Sequence, residues 1–294
     1  MLPFMIILLV SALGSFFVLA ISGVGDNLLL VQAAVYGAAI ILLIAVHSWR
    51  GKYSAINPHK ASPDWLIPCL ILLLAGLLST VFSHVYPARW LSLGGFNLYM
   101  AAVVMPPLIV ITGFVLTQTK SDILAVVLAG VTAIVLAVQP DLAQLLAWLA
   151  ALIVLTRLTC SKRHIRFLLL LTLVSTLWAA LKNDPLKPVS YVEEVFKTAI
   201  AHHIITGSVI IAIAAALVVC FVACAKSRTW LYPLAAYYVV IFIASVFGIT
   251  PAPLLGYGAG PVLGYVLAVM AILSLNRYHQ PQQSTATDVV GSAA

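Results

Sequence analysis

The chain has 294 residues, of which 63% are hydrophobic and only 8% charged, with 15 Lys and Arg against 8 Asp and Glu. A water-soluble domain carries roughly 25% charged residues, and the mean hydropathy of +1.14 points the same way. A soluble enzyme, a disordered chain and a nucleic-acid reader are excluded together, leaving an all-α polytopic membrane protein.

Apolar stretches fall, in chain order, at 2–22, 28–48, 65–84, 98–118, 122–138, 141–158, 165–182, 201–225, 230–248 and 256–276. Most approach the roughly 20 residues that a helix needs to cross a bilayer. About ten transmembrane helices are therefore predicted, in a single transmembrane domain over residues 1–277. The first stretch starts at Leu2 without a basic n-region or a convincing cleavage site, and reads as a retained span. Only Gln139-Pro140-Asp141 separates the fifth stretch from the sixth. Pro140 does not continue a helix comfortably, so a tight turn between two short helices is expected. Asp141 is placed to cap the sixth span; with Gln139 and Gln144 it could equally form a polar cluster facing a cavity. Residues 278–294 are polar and small, and are expected to form a disordered cytoplasmic tail.

Ten spans put both termini on one side, and charge decides which. With the N-terminus inside, the inner loops hold Arg50, Lys52, Lys60, Lys120, Arg157, Lys162, Arg163, Arg166, Lys226, Arg228 and Arg277, whereas the outer loops hold only Arg89, Lys182, Lys187 and Lys197. Basic residues collect on the cytoplasmic side, so both termini are cytoplasmic. Asp26, Asp141, Asp184, Glu193 and Glu194 then lie outside, and Asp64, Asp122 and Asp288 inside. The four cysteines, Cys69, Cys160, Cys220 and Cys224, lie in or beside apolar runs without a C-x-x-C pair, and read as small buried hydrophobes.

Two outer segments are long enough to build chemistry, 85–97 and 182–200. Glu193 and Glu194 follow the proline-restricted Asp184-Pro185-Leu186-Lys187-Pro188. A carboxylate at a membrane–water boundary is partly desolvated, which suits it to proton transfer; the plainer reading is a solvated turn at a helix start, where acids favour the dipole. Arg89-Trp90 reads either as an interfacial anchor or as a fork for a lipid phosphate. Adjacent helical residues do not face each other, so His202-His203, with no third ligand at suitable spacing, does not make a metal site. Gly256, Gly260 and Gly264 form a small-xxx-small stripe suited to close helix packing. Neither a P-loop nor an H-E-x-x-H motif occurs, which argues against ATP-driven transport and that type of metalloprotease. Few ionisable residues lie mid-span and no inverted repeat is visible, which disfavours a solute carrier.

Three segments, in order, carry a family resemblance. Arg89-Trp90-Leu91-Ser92-Leu93-Gly94-Gly95-Phe96 resembles the R-W-L-x-L-G stretch of the SEDS family, the RodA- and FtsW-type proteins of shape, elongation, division and sporulation. Val138-Gln139-Pro140-Asp141-Leu142 resembles that family's L-Q-P-D-x-G, and Gly248 to Gly260 resembles its late G-x-x-P…P-F-x-S-Y-G-G-S segment. The span count and the long outer loop before the eighth span agree. The resemblance implies a SEDS-like bundle in the bacterial inner membrane. It also implies polymerisation of lipid II, a polyprenyl-linked cell-wall precursor, into peptidoglycan at the outer face, alongside a transpeptidase-type membrane partner. A gap-free count back from Gly207 puts Glu193 at the position of the family's essential Asp, with Glu194 its immediate neighbour. Glu193 or Glu194 would then be catalytic, and Arg89, Asp141, Gln139, Lys187 and Lys197 would bind substrate.

The chain also departs from the pattern. Tyr99-Met100-Ala101-Ala102-Val103-Val104-Met105 stands where the family has Q-P-S-E-x-x-K, so its Glu and Lys are both absent. Removing both together leaves no unpaired buried charge, so the fold need not suffer. An alternative function follows: a non-catalytic lipid-intermediate binder or scaffold in a wall-building or division complex. No cofactor is identified, no ligand cluster indicates a divalent cation, and no nucleic acid is implied.

Overall fold

A computed structural model describes residues 1–56, 65–82, 88–94, 96–118, 123–159, 162–182, 186–276 and 278. The expectations for Lys60, Asp64, Gly95, Lys120, Asp122, Cys160, Asp184, Pro185, Arg277 and the tail beyond Tyr278 lie outside them. Eleven helices are described: α1 Leu2–Ile21, α2 Asp26–Ile56, α3 Leu66–Ser79, α4 Met100–Gln118, α5 Ile123–Val138, α6 Leu142–Leu158, α7 Lys162–Ala180, α8 Val195–His202, α9 Ile204–Ala225, α10 Tyr232–Val246 and α11 Ala259–Leu275. A 3₁₀ turn over Thr229–Leu231 leads into α10, and two strands, β1 Trp90–Leu93 and β2 Phe96–Tyr99, precede α4.

Among the described residues, six helical segments are long and apolar enough to cross a membrane: Leu2–Ile21, Asp26–Trp49, Met100–Gln118, Lys162–Ala180, Ile204–Ala225 and Thr229–Val246. Four shorter apolar helices, α3, α5, α6 and α11, complete a polytopic bundle. The outer surface of the bundle carries Leu13, Leu30, Ile41, Leu72, Leu170 and Val219, all exposed. Such a surface would aggregate in water and fits hydrocarbon.

The expected all-α architecture holds apart from the hairpin in the first outer loop. β1 and β2 are antiparallel, with Trp90 opposite Tyr99 and Leu93 opposite Phe96. Gly94, directly after β1, takes a φ of 55°, a left-handed conformation that glycine adopts without steric cost. The predicted eighth span is also broken. His203, with φ −166° and ψ 142°, separates α8 from α9, and its Nδ1 accepts the N–H of Ile205 at 3.2 Å. Gly207 permits the bend, because a Cβ there would lie 2.4 Å from the Ile200 side chain.

α4 is the axis of the bundle, packed against α3, α5, α6, α10 and α11. Every residue from Met100 to Leu116 is buried, as expected of a helix that is apolar all round. Pro106 and Pro107 lie inside it, and a proline removes the hydrogen bond to the carbonyl four residues earlier. The carbonyls concerned are those of Ala102 and Val103. α11 covers this region with glycine: a Cβ on Gly264 would lie 2.0 Å from the Ala102 oxygen, and one on Gly260 2.8 Å from the Tyr99 oxygen. The close packing expected of the glycine stripe is thus present at Gly260 and Gly264. Gly256 lies before α11 and meets the outer loop instead, where a Cβ would be 2.6 Å from the Val192 oxygen. At the opposite end of α11, Tyr278 docks on the bundle, accepting from Trp65 Nε1 at 3.3 Å and packing on Phe114.

Gly264→Ala is expected to part α11 from α4, at a cost of about 1–3 kcal/mol. It should lower the melting temperature in detergent, whereas Gly37→Ala, with nothing within 4 Å of its Cβ position, should not.

Candidate functional site

The site is built on the turn that ends α5. Pro140 stops the helix, and Gln139 and Asp141 donate their backbone N–H groups to Val135 and Leu136. The carbonyls of Gln139 and Pro140 are left at the negative end of the α5 dipole. Arg89 supplies their partners. Its Nε donates to the Gln139 oxygen at 3.1 Å, and an Nη donates to the Pro140 oxygen. Arg89 is only 8% exposed, so it is a buried cap on α5 and does not snorkel as a free interfacial anchor. The Gln139 side chain turns the other way. Its Nε2 donates to the Leu77 oxygen at 2.9 Å and to Thr80 Oγ1 at 2.6 Å, closing the end of α3.

Asp141 caps α6 as its place after Pro140 predicts, accepting the Gln144 N–H on Oδ1 at 3.3 Å. Its Oδ2 accepts from the Tyr99 hydroxyl at 2.5 Å. Gln144 is held in turn by the Tyr237 hydroxyl at 2.8 Å. Tyr99, Ala102, Gln144, Tyr237 and Tyr238 border a cavity of about 10 Å³, room for about one water.

The second outer loop folds over this turn and meets the chain leading to α11. Ala252 N–H donates to the Val192 oxygen at 3.0 Å, and Tyr257 N–H to the Tyr191 oxygen at 2.9 Å. The same segment is tied to the first two helices. Gln32, fully buried, donates to Ser15 Oγ at 3.2 Å and to the Gly256 oxygen at 3.3 Å, and accepts the Gly258 N–H at 3.1 Å. The Tyr36 hydroxyl donates to the Leu254 oxygen at 2.5 Å.

These ties leave an open cleft lined by Arg89, Trp90, Tyr99, Lys187, Glu193, Gly248, Ile249 and Pro251 among others. Arg89, Lys187 and Glu193, three of the residues singled out in the sequence, therefore line one cleft. Glu193 Oε2 accepts the Val189 N–H at 2.8 Å. Glu194 pairs with Lys197 at 2.8 Å, its side chain lying against Gly248; of the two neighbouring acids, Glu193 is the one that lines the cleft. Gln139 and Asp141 stand behind it, holding Arg89 and Tyr99. His202 lies edge-on to Phe17, and among the described residues no three His, Cys, Asp or Glu side chains gather as metal ligands.

A second concavity faces the lipid. It is a groove of about 470 Å³ between α1 and α9, lined by Val10, Leu13, Phe17, Ile205, Val209 and Ile213 among others. Gly14 also lines it; a Cβ there would lie 3.0 Å from the Leu255 side chain, in the chain leading to α11.

No family model and no curated protein matches the chain. Among solved structures, the crystal structure of Thermus thermophilus rod shape determining protein RodA is similar over 95% of this chain and 97% of that one, with a TM-score of 0.69 and 17% identity. An aspartate-to-alanine mutant of the same RodA gives a TM-score of 0.67 at the same identity and coverage. The protein therefore has a RodA-like, SEDS-type polytopic fold.

Sequence reading missed Ser15, Gln32 and Tyr36. A lone Gln in an apolar run was the available signal, since a polar side chain in hydrocarbon needs a partner. Gln32→Leu is expected to destabilise the protein by about 1–3 kcal/mol through the unpaired Gly258 N–H and a Gly256 oxygen left only the long bond from Ser15. Hydrogen exchange should then quicken across 252–258, while the α7 amides keep their protection.

Proposed function

We propose that this protein is a SEDS-type cell-wall membrane protein that transfers the glycosyl group of a polyprenyl-pyrophosphate-linked disaccharide, lipid II, at the outer face of the bacterial inner membrane. The observation that carries the reading is the shared cleft: an acid from the loop before α8 and a guanidinium from the first outer loop line one opening. Glu193 takes the proton of the acceptor sugar hydroxyl as that oxygen attacks the anomeric carbon. The bond from that carbon to the pyrophosphate oxygen breaks, and polyprenyl pyrophosphate leaves. Arg89 and Lys187 stabilise the charge that grows on the departing pyrophosphate. The polyprenyl chain rests in the groove between α1 and α9, whose size is that of an ordinary ligand pocket, roughly 300–1,000 Å³. A transpeptidase-type membrane partner would cross-link the product.

A second reading, a lipid-intermediate binder without turnover, is favoured by one observation. Ala102 and Met105, which stand at the family's Glu and Lys positions, are buried in the apolar α4. Fluorescent lipid II supplied to the purified protein in liposomes separates the two. Glycosyl transfer is expected in the wild type, with a fall of about 10²–10⁴-fold in Glu193→Gln, the usual contribution of a general base. Glu194→Gln should retain most of the activity. Binding of lipid II without polymer would establish the second reading, and a fully active Glu193→Gln would remove the assigned mechanism.

A further inference from the structure

Tyr99 takes no part in the reaction just described, and at 4% exposure it is nearly buried. It nevertheless borders both the outer cleft and the small cavity behind it. Its bonds form a closed circuit around Arg89. The backbone oxygen of Arg89 accepts the N–H of Met100, the residue after Tyr99, at 3.2 Å. Tyr99 faces Trp90 across the hairpin, with ring centroids 5.3 Å apart. The Tyr99 hydroxyl reaches Asp141 at 2.5 Å. Asp141 directly follows Gln139 and Pro140, whose carbonyls receive the Arg89 guanidinium. Arg89 is thus tied to one turn at both ends, by its side chain directly and by its backbone through Tyr99.

Such a circuit has a chemical consequence. A hairpin of two four-residue strands is marginal by itself; it packs on α11 and the core, and the Tyr99–Asp141 bond and the guanidinium both tie it to the α5–α6 turn. A pyrophosphate entering the cleft would compete with the two carbonyls for that guanidinium. Once they released it, the hairpin and its charge could drift. With Tyr99 held, the backbone of Arg89 keeps its place while the side chain exchanges partners. Preorganised charge costs no reorganisation at the moment of reaction.

We propose, resting on the glycosyl-transfer reading, that Tyr99 is a positioning residue which, through Asp141, holds Arg89 for the pyrophosphate of the polyprenyl-linked substrate. Gln144 and Tyr237 complete the device by fixing the cap end of α6.

The test is a double-mutant cycle, with undecaprenyl pyrophosphate as the probe and native mass spectrometry of the protein in nanodiscs as the readout. Tyr99→Phe keeps the ring against Trp90 and removes only the hydroxyl donor. It is expected to weaken binding about tenfold, since small misplacements of binding groups cost that much or more. In an Arg89→Ala background the same change should have no further effect, because the group it positions is gone. The melting temperature of Tyr99→Phe should stay near that of wild type. Should Tyr99→Phe fail to fold, Asp141→Asn retains a good helix cap and reads the same coupling. Losses that simply add, or a Tyr99→Phe protein that binds as wild type does, overturn the positioning role. Intact binding and coupling without polymer formation would remove the glycosyl-transfer reading alone, and a wild type that does not bind the probe would remove both.

Discussion

A proline in the wrong place for a helix organises the outer end of this protein. Pro140 stops α5 and leaves carbonyls at its end, and in a membrane such groups must find partners inside the protein. Arg89 answers from the first outer loop, and the Gln139 side chain draws in the end of α3. Asp141 uses its own oxygens to start α6 and to hold Tyr99. Three helices and a hairpin meet at three residues. The charge that would serve a phosphate is the same charge that satisfies the turn, so fold and site are one structure here.

A second proline effect shapes the interior. Pro106 and Pro107 interrupt the ladder of α4, and glycines of α11 come close enough to cover the adjoining backbone. The chain that enters α11 is then held from two sides, by Gln32 and Tyr36 on α2 and by the loop carrying Glu193. The cleft is what remains between that segment and the hairpin.

The spans were legible because hydrocarbon imposes length and composition on each helix separately. The Asp141 cap was legible because its signal is local, a proline followed by an acid before an apolar run. The hairpin carried a local signal too, the Gly94-Gly95 dipeptide, but its strands are short and lie against a longer apolar stretch. The break at His203 was hidden inside a run that looks continuous. Least legible were the long-range ties. Gln32 meets Gly256, Tyr99 meets Asp141 and Arg89 meets Gln139, and nothing in the spacing along the chain pairs them. That Glu193 rather than Glu194 lines the cleft was likewise not legible, since adjacent residues differ only in where the turn aims them.

The central claim is that Arg89 and Glu193 face one substrate across one outer cleft. Its most direct test is a cryo-EM reconstruction of the protein in nanodiscs with undecaprenyl pyrophosphate bound. The account expects pyrophosphate density against Arg89, with Glu193 on the facing wall and the chain running toward the groove between α1 and α9. Density at another site, with the Arg89 cleft closed over its carbonyl partners, would contradict it.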